Sequence, residues 1–191
     1  AAEALADSPS LPERAFDEKF HVLLAPGLFL KDLAYYRHEC GLRDSSVAVC
    51  YVDIDDFKKV NERYTETKVD LLVLGPFLEA VEAWSFGHAH AYRYGGDEYV
   101  LLIPNVTAAL CKTLLGELVD RIRGAQYRIQ GVTLSVSQGV VLVDPDCYLT
   151  DREVLSRANE CKARAKTRKG SVVMATAPSW DPQSAEMVRL R

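Results

Sequence analysis

The chain has 191 residues, 48% of them hydrophobic, enough for one domain with a substantial core and short extensions. Its 27 acidic and 23 basic residues leave a formal net charge of −4, which argues against a duplex nucleic-acid binder. No apolar run is long enough to span a bilayer and no secretory signal pattern opens the chain, while five scattered cysteines without a C-x-x-C pair argue against a disulfide framework or zinc site.

A reducing, cytoplasmic setting is expected. The start at Ala1-Ala2-Glu3 reads as a piece of a longer protein with an upstream sensory domain. Residues 1–25 read as a linker with a short helix, because Ser10-Leu11-Pro12-Glu13 has capping-box spacing with proline at the first helical position. After the Pro26-Gly27 break, Leu28 to Cys40 carries a helical stripe. Val47 to Val52 is continuously apolar, as in a strand buried on both faces. Asp55 is placed to cap a short helix through Asn61, and Leu74, Phe77, Leu78 and Val81 repeat at helical spacing.

Next comes a hairpin, Ala89 to Tyr94 and Tyr99 to Ile103, around Gly95-Gly96, a pair suited to a tight turn because glycine reaches positive φ. Leu110, Leu114, Leu118 and Ile122 step along a helix that Gly124 can end. Val132, Leu134 and Val136 alternate with polar residues like a one-sided strand. Val154, Ala158, Cys161 and Ala165 mark a last long helix, and Val172-Val173-Met174 a closing strand. The order predicts an α/β (α+β) domain: a mixed sheet flanked by helices over residues 26–175, with residues 176–191 as a tail.

Asp53 falls where a strand meets a helix, and Asp97 just past the hairpin tip. If the hairpin pairs beside that strand, two carboxylates converge from separate segments and suit a hard divalent cation. Amides at the start of the following helix can hold phosphate oxygens, and Lys58 adds a positive charge one turn in. His88 and His90 lack a third ligand at matching spacing. Lys162, Arg164, Lys166, Arg168 and Lys169 read as a phosphate-facing helix end with a solvated face.

Four motifs occur together: Asp53-Ile54-Asp55-Asp56-Phe57-Lys58, Arg93-Tyr94-Gly95-Gly96-Asp97-Glu98-Tyr99, Thr133 to Gly139, and Ala158 to Lys166. In that order they resemble GGDEF-type diguanylate cyclases over roughly residues 20 to 175. The resemblance implies a palm-like nucleotidyl cyclase sheet and condensation of two GTP into cyclic di-GMP with release of pyrophosphate. It implies two Mg2+ ions per site (or Mn2+), held by Asp53, Asp97 and the Ile54 carbonyl. It assigns Asp97, Lys58 and Glu98 to catalysis, and Asn61, Asp70, Phe57, Lys58 and Lys166 to substrate binding. Asn61 and Asp70 are the guanine readers, Asp70 lying seventeen residues after Asp53. A carboxylate can accept the N1 and exocyclic amine protons of guanine together, which adenine does not offer. A homodimer is implied, since each product joins two nucleotides.

The chain departs from the family pattern at Glu62, Thr65-Glu66 and Val69, and at Val22 to Gly27. Past Lys166 it has Thr167-Arg168-Lys169-Gly170, so Arg168 or Lys169 is left to serve as the second triphosphate cation. Phe86-Gly87-His88-Ala89 stands where the product-inhibition motif normally lies, and no feedback through that site is expected. Two alternatives stay open: a catalytically degenerate GTP-binding regulatory module, and a cyclase making another cyclic dinucleotide.

Overall fold

A computed structural model describes residues 8–177 and 186–189. The elements run α1 (Phe29–Gly41), β1 (Val47–Ile54), α2 (Phe57–Arg63), α3 (Glu66–Val69), a π-helical turn (Asp70–Leu74), α4 (Gly75–Ser85), β2 (His90–Arg93), β3 (Glu98–Pro104), α5 (Ala108–Gly124), β4 (Val136–Val143), α6 (Asp151–Lys166), β5 (Ser171–Ala177) and β6 (Glu186–Arg189). The strands form one mixed sheet in the order β2-β3-β1-β4-β5-β6, antiparallel except for the β4–β5 pair.

Central β1 explains the continuous apolar run, because its alternate residues serve two cores. Ala48, Cys50, Val52 and Ile54 pack with Val73, Leu74, Phe77 and Leu78 and with Cys111, Leu115, Leu118 and Ile122. Val47, Val49 and Tyr51 face the other way, with Phe29 and Leu33 of α1 and Val154 and Ala158 of α6. Side chains alternate along a strand, so Asp53 belongs to the α1/α6 face. Trp84 and Tyr92 are both buried. All five cysteines are free.

Several expectations need correction. Residues after Ser10 form no helix; the segment lies against the sheet edge through isolated bridges Phe16–Leu24 and Leu24–Tyr92. Long-range ion pairs prevail over the local capping signal. Arg14 meets fully buried Asp32 through two 2.7 Å bonds, and Asp17 meets Arg93 at 3.1 Å. On α5 the buried stripe is Cys111, Leu115, Leu118, Val119 and Ile122, with Leu110 exposed, because a strict four-residue step drifts off a 3.6-residue period. The strand expected at Val132 begins at Val136 and continues to Val143. Its Ser137 is buried rather than on a polar face. Within residues 176–191, whose order the sequence left open, Glu186–Arg189 pairs with β5 as an edge strand.

The hairpin differs as well. Neither Gly95 nor Gly96 has left-handed φ. Four residues join β2 to β3, and the Glu98 carbonyl accepts from the N–H groups of both Tyr94 (3.0 Å) and Gly95 (3.1 Å), so no two-residue primed turn is needed. A Cβ at either glycine would meet no atom within 4 Å. The pair therefore leaves open space in front of the hairpin.

Candidate active site

The register of the sheet brings the first two motifs together. Asp53 of β1 lies opposite Glu98 of β3 and Ser137 of β4, and the Ile54 N–H donates to the Asp97 carbonyl at 3.1 Å. Asp97 is half-buried, and its carboxyl is pushed above the usual aspartate range, first by burial and next by the charge of Asp53. Two acids crowd one edge of the sheet, as the hairpin pairing requires.

Helix α6 delivers two ammonium groups to the same edge. Lys166 Nζ stands 2.7 Å from Asp53 Oδ1 and 3.5 Å from Asp55 Oδ1, and it donates to the Ile54 carbonyl at 3.0 Å. Lys162, only 8% exposed, reaches Glu98 at 3.0 Å and Asp53 at 3.5 Å, with its ammonium 4.9 Å from the centre of the Tyr51 ring. The Tyr51 hydroxyl is pushed up to about 12 by burial, then by Glu98 and Asp53. Lys166, expected at a triphosphate, is thus engaged by the acids. Lys162, expected in a basic cluster with a solvated face, is buried instead. Helical spacing was the available signal, since residues four apart share a face and Ala158, Lys162 and Lys166 continue one stripe.

Asp55 does not cap α2. Its carboxylate accepts from Ser135 (2.7 Å), Ser137 (2.6 Å) and the Gly170 N–H (2.9 Å), tying the end of β1 to β4 and to the turn after α6. Asp56 takes the N-cap position in the left-handed region, φ 54°, without a side-chain cap. Lys169, a candidate second triphosphate cation, pairs with Asp56 at 2.7 Å.

On the other side of the hairpin tip lies a cavity of about 370 Å³ lined by Lys19, Phe57, Lys58, Asn61, Glu62, Glu66, Asp70, Leu74, Arg93 and Gly96. It gathers Phe57, Lys58, Asn61 and Asp70 from the expected substrate set. Phe57 is buried and forms an apolar wall, while Lys58 is 89% exposed and comes no nearer to Glu62 than 3.8 Å. Asn61 lines the cavity, and its Oδ1 is buried without a hydrogen-bond partner. Asp70 opens the π-helical turn, a feature that re-aims side chains and recurs at functional sites. Lys19 pairs with Asp70 at 2.7 Å and had no signal in the sequence, because the turn that carries it is fixed by distant partners.

His88 and His90 serve packing: His88 meets the Trp84 ring edge-on and His90 stacks on Tyr36. Among the described residues no three His, Cys, Asp or Glu side chains cluster as a metal site by themselves. The donors at the sheet edge nevertheless suit magnesium. That ion usually takes one or two carboxylates and completes its shell with phosphate and water, not with an all-protein cage. Asp53 Oδ1 is buried and, despite the nearby ammonium, lacks a hydrogen bond of proper direction.

The family model for "Diguanylate cyclase, GGDEF domain" matches residues 27–171. The chain belongs to the GGDEF family. It is 35% identical over 125 residues to the bifunctional diguanylate cyclase/cyclic di-GMP phosphodiesterase MucR of Pseudomonas aeruginosa, covering 64% of this chain and 18% of that one. It is 22% identical over 170 residues to diguanylate cyclase A of Treponema denticola, covering 87% of this chain and 45% of the relative. The GGDEF chain thus spans less than half the length of these curated relatives. Its fold matches the crystal structure of the diguanylate cyclase SiaD of Pseudomonas aeruginosa in complex with its activator SiaC, with TM-score 0.75 and 22% identity. That match covers 88% of this chain and 63% of the other. The mixed sheet flanked by helices is the GGDEF fold, and no helix among the described residues is long and apolar enough to cross a membrane.

Proposed function

We propose that this GGDEF domain is a magnesium-dependent diguanylate cyclase that condenses two GTP into cyclic di-GMP across a homodimer. One observation carries the reading: a cavity walled by Phe57, Asn61, Asp70 and Gly96 opens beside the hairpin tip whose Asp97 is crowded by Asp53. A purine in that cavity would present its donor edge to Asp70 and Asn61, and its phosphates would run over Gly95-Gly96 toward the carboxylates. Magnesium held by Asp53, Asp97 and the Ile54 carbonyl would lower the pKa of the attacking hydroxyl and offset charge on the phosphates.

The chain's own groups do the rest. Asp97, with its raised pKa, is suited to accept the ribose 3′-hydroxyl proton. The freed oxygen bonds to the α-phosphorus of the nucleotide on the other protomer, and the bond from that phosphorus to pyrophosphate breaks. Repeating this from the second protomer closes the ring. Lys58, exposed at the rim, can reach the phosphates. Lys166 now lies on Asp53 and the Ile54 carbonyl, and with magnesium held there it would be released toward the triphosphate.

A regulatory, non-catalytic GTP-binding module is the second reading, favoured by the two ammonium groups already lying on Asp53 and Glu98. Incubation with GTP and magnesium, with products separated by mass, decides between them. Cyclic di-GMP plus pyrophosphate supports the cyclase. Saturable GTP binding without pyrophosphate supports the module, and a different cyclic dinucleotide overturns the guanine assignment.

A further inference from the structure

Lys19 is placed by a turn built for the purpose. Asp17, 4% exposed, accepts from the N–H groups of Lys19 (3.0 Å) and Phe20 (3.2 Å). Its backbone closes the turn, Asp17 N–H to the Leu23 carbonyl at 2.9 Å and His21 N–H to the Asp17 carbonyl at 3.0 Å. Arg93, on the strand leading into the glycine pair, clamps Asp17 at 3.1 Å and lies 4.9 Å from the centre of the Phe20 ring. The turn is therefore locked to the same hairpin that carries Asp97. From it the Lys19 ammonium reaches 2.7 Å from Asp70 Oδ2 and 3.5 Å from Glu66 Oε1, at the mouth of the nucleotide cavity. Its pKa is raised, chiefly by the hydrogen bond to Asp70, so the group stays charged.

We propose that Lys19 is a third base-reading group beside Asn61 and Asp70: its ammonium donates to the O6 oxygen of guanine while Asp70 accepts from N1–H and the N2 amine. This rests on the reading of the cavity as a guanine-nucleotide site. A carboxylate oxygen has two lone pairs, so Oδ2 can hold Lys19 and a base N–H at once. O6 is the neighbour of N1 on the ring, and the group beside Oδ2 is the one that can reach it. The paired side chains thus offer acceptor, acceptor, donor to a base edge that reads donor, donor, acceptor. Adenine is mismatched twice, its N6 amine facing an ammonium and its N1 lone pair facing a carboxylate. A site built to bond a polar edge rejects the analogue lacking it far more strongly than an apolar pocket can.

The test measures binding, not turnover, on the full chain. Non-reacting α,β-methylene forms of GTP, of its 6-thio analogue (a poor acceptor at position 6) and of ITP (no N2 amine) are titrated calorimetrically into wild type, Lys19→Met and Lys19→Arg. Lys19→Met keeps the aliphatic stem and removes the donor. It should lose about ten- to a hundredfold in affinity for the GTP form, the scale of one hydrogen bond to a charged group. The penalty for sulfur at position 6 should largely vanish in Lys19→Met, while the penalty for losing the N2 amine stays as in wild type. Lys19→Arg should retain most of the affinity and the sulfur penalty. Equal or tighter GTP binding by Lys19→Met, with the sulfur penalty unchanged, overturns the role of Lys19 and leaves the guanine site standing. Failure of wild type to bind the GTP form at all overturns the guanine site and this inference with it.

Discussion

Asp97 illustrates how a functional residue can work against its own fold. Its folded pKa lies above the ordinary aspartate value because burial and Asp53 both disfavour the charge. The neutral carboxyl therefore favours the folded state below the unfolded pKa, and that contribution is lost as pH rises through the folded pKa. At neutral pH the ionised group is a liability, of the kind that functional sites tolerate. Asp97→Asn keeps the shape and removes the charge, so it should raise the melting temperature at pH 7 without metal or nucleotide. The advantage should shrink as the pH falls through the raised folded pKa, where wild type becomes neutral too. The same variant should make no cyclic product. A melting temperature at pH 7 equal to or below that of wild type would contradict the electrostatic account.

The residues of the expected site were legible to different degrees for a physical reason. Asp53 and Asp97 are legible from the local sequence, at a strand end and just past a hairpin tip, whereas Asn61 and Asp70, on α2 and the π-helical turn, are singled out only by the family resemblance. Lys19 and Lys162 depend on tertiary contacts: one on a turn held by Arg93, the other on the depth to which α6 sinks onto the sheet. Asp55 misled because an Asx residue before a helix signals a cap, whereas two serines and a glycine amide compete for it here and win.

At the scale of elements, α6 is the part on which the acid edge most depends. It starts with a full capping box, Thr150 with Glu153, and buries Val154, Ala158, Cys161, Lys162 and Ala165. It can lie so close to β4 only because position 139 has no side chain: a Cβ there would collide with the Lys162 backbone nitrogen and the Ala158 carbonyl. Gly139→Ala must push α6 outward, and overpacking of this kind costs about 1–3 kcal/mol or more. Gly116, in the middle of α5, is the opposite case, since a Cβ there meets no atom within 4 Å. Gly116→Ala should therefore stabilise by about 0.5–1 kcal/mol through helix propensity. Urea unfolding of both variants reads the pair, and an unchanged midpoint for Gly139→Ala would refute the close-approach account. The helices were legible from their apolar period. The continuous path from α3 to α4 was not, because Gly75-Pro76 signals a break. A π-helical turn closes there instead, the Gly75 N–H donating to the Asp70 carbonyl.

For the whole molecule, the proposed chemistry sets a stoichiometry that one chain cannot meet. Among the described residues one cavity bears both Asn61 and Asp70, yet the proposed product has two guanosines and two new phosphodiester links. Two copies related by a two-fold axis satisfy this, each holding one nucleotide. Well below the dimer dissociation constant, dimer concentration varies as the square of total chain. A tenfold dilution should then lower the rate of cyclic di-GMP formation about a hundredfold. Mixing chains gives a sharper result. If Asp97 accepts the proton of the hydroxyl on its own protomer, a heterodimer of wild type with Asp97→Asn can form one link but not the second. Excess Asp97→Asn should therefore suppress the cyclic product and let a linear dinucleotide triphosphate accumulate, resolved by mass. A specific activity that stays flat on dilution into the monomer range, with cyclic product unaffected by the inactive chain, would mean that one chain closes the ring alone.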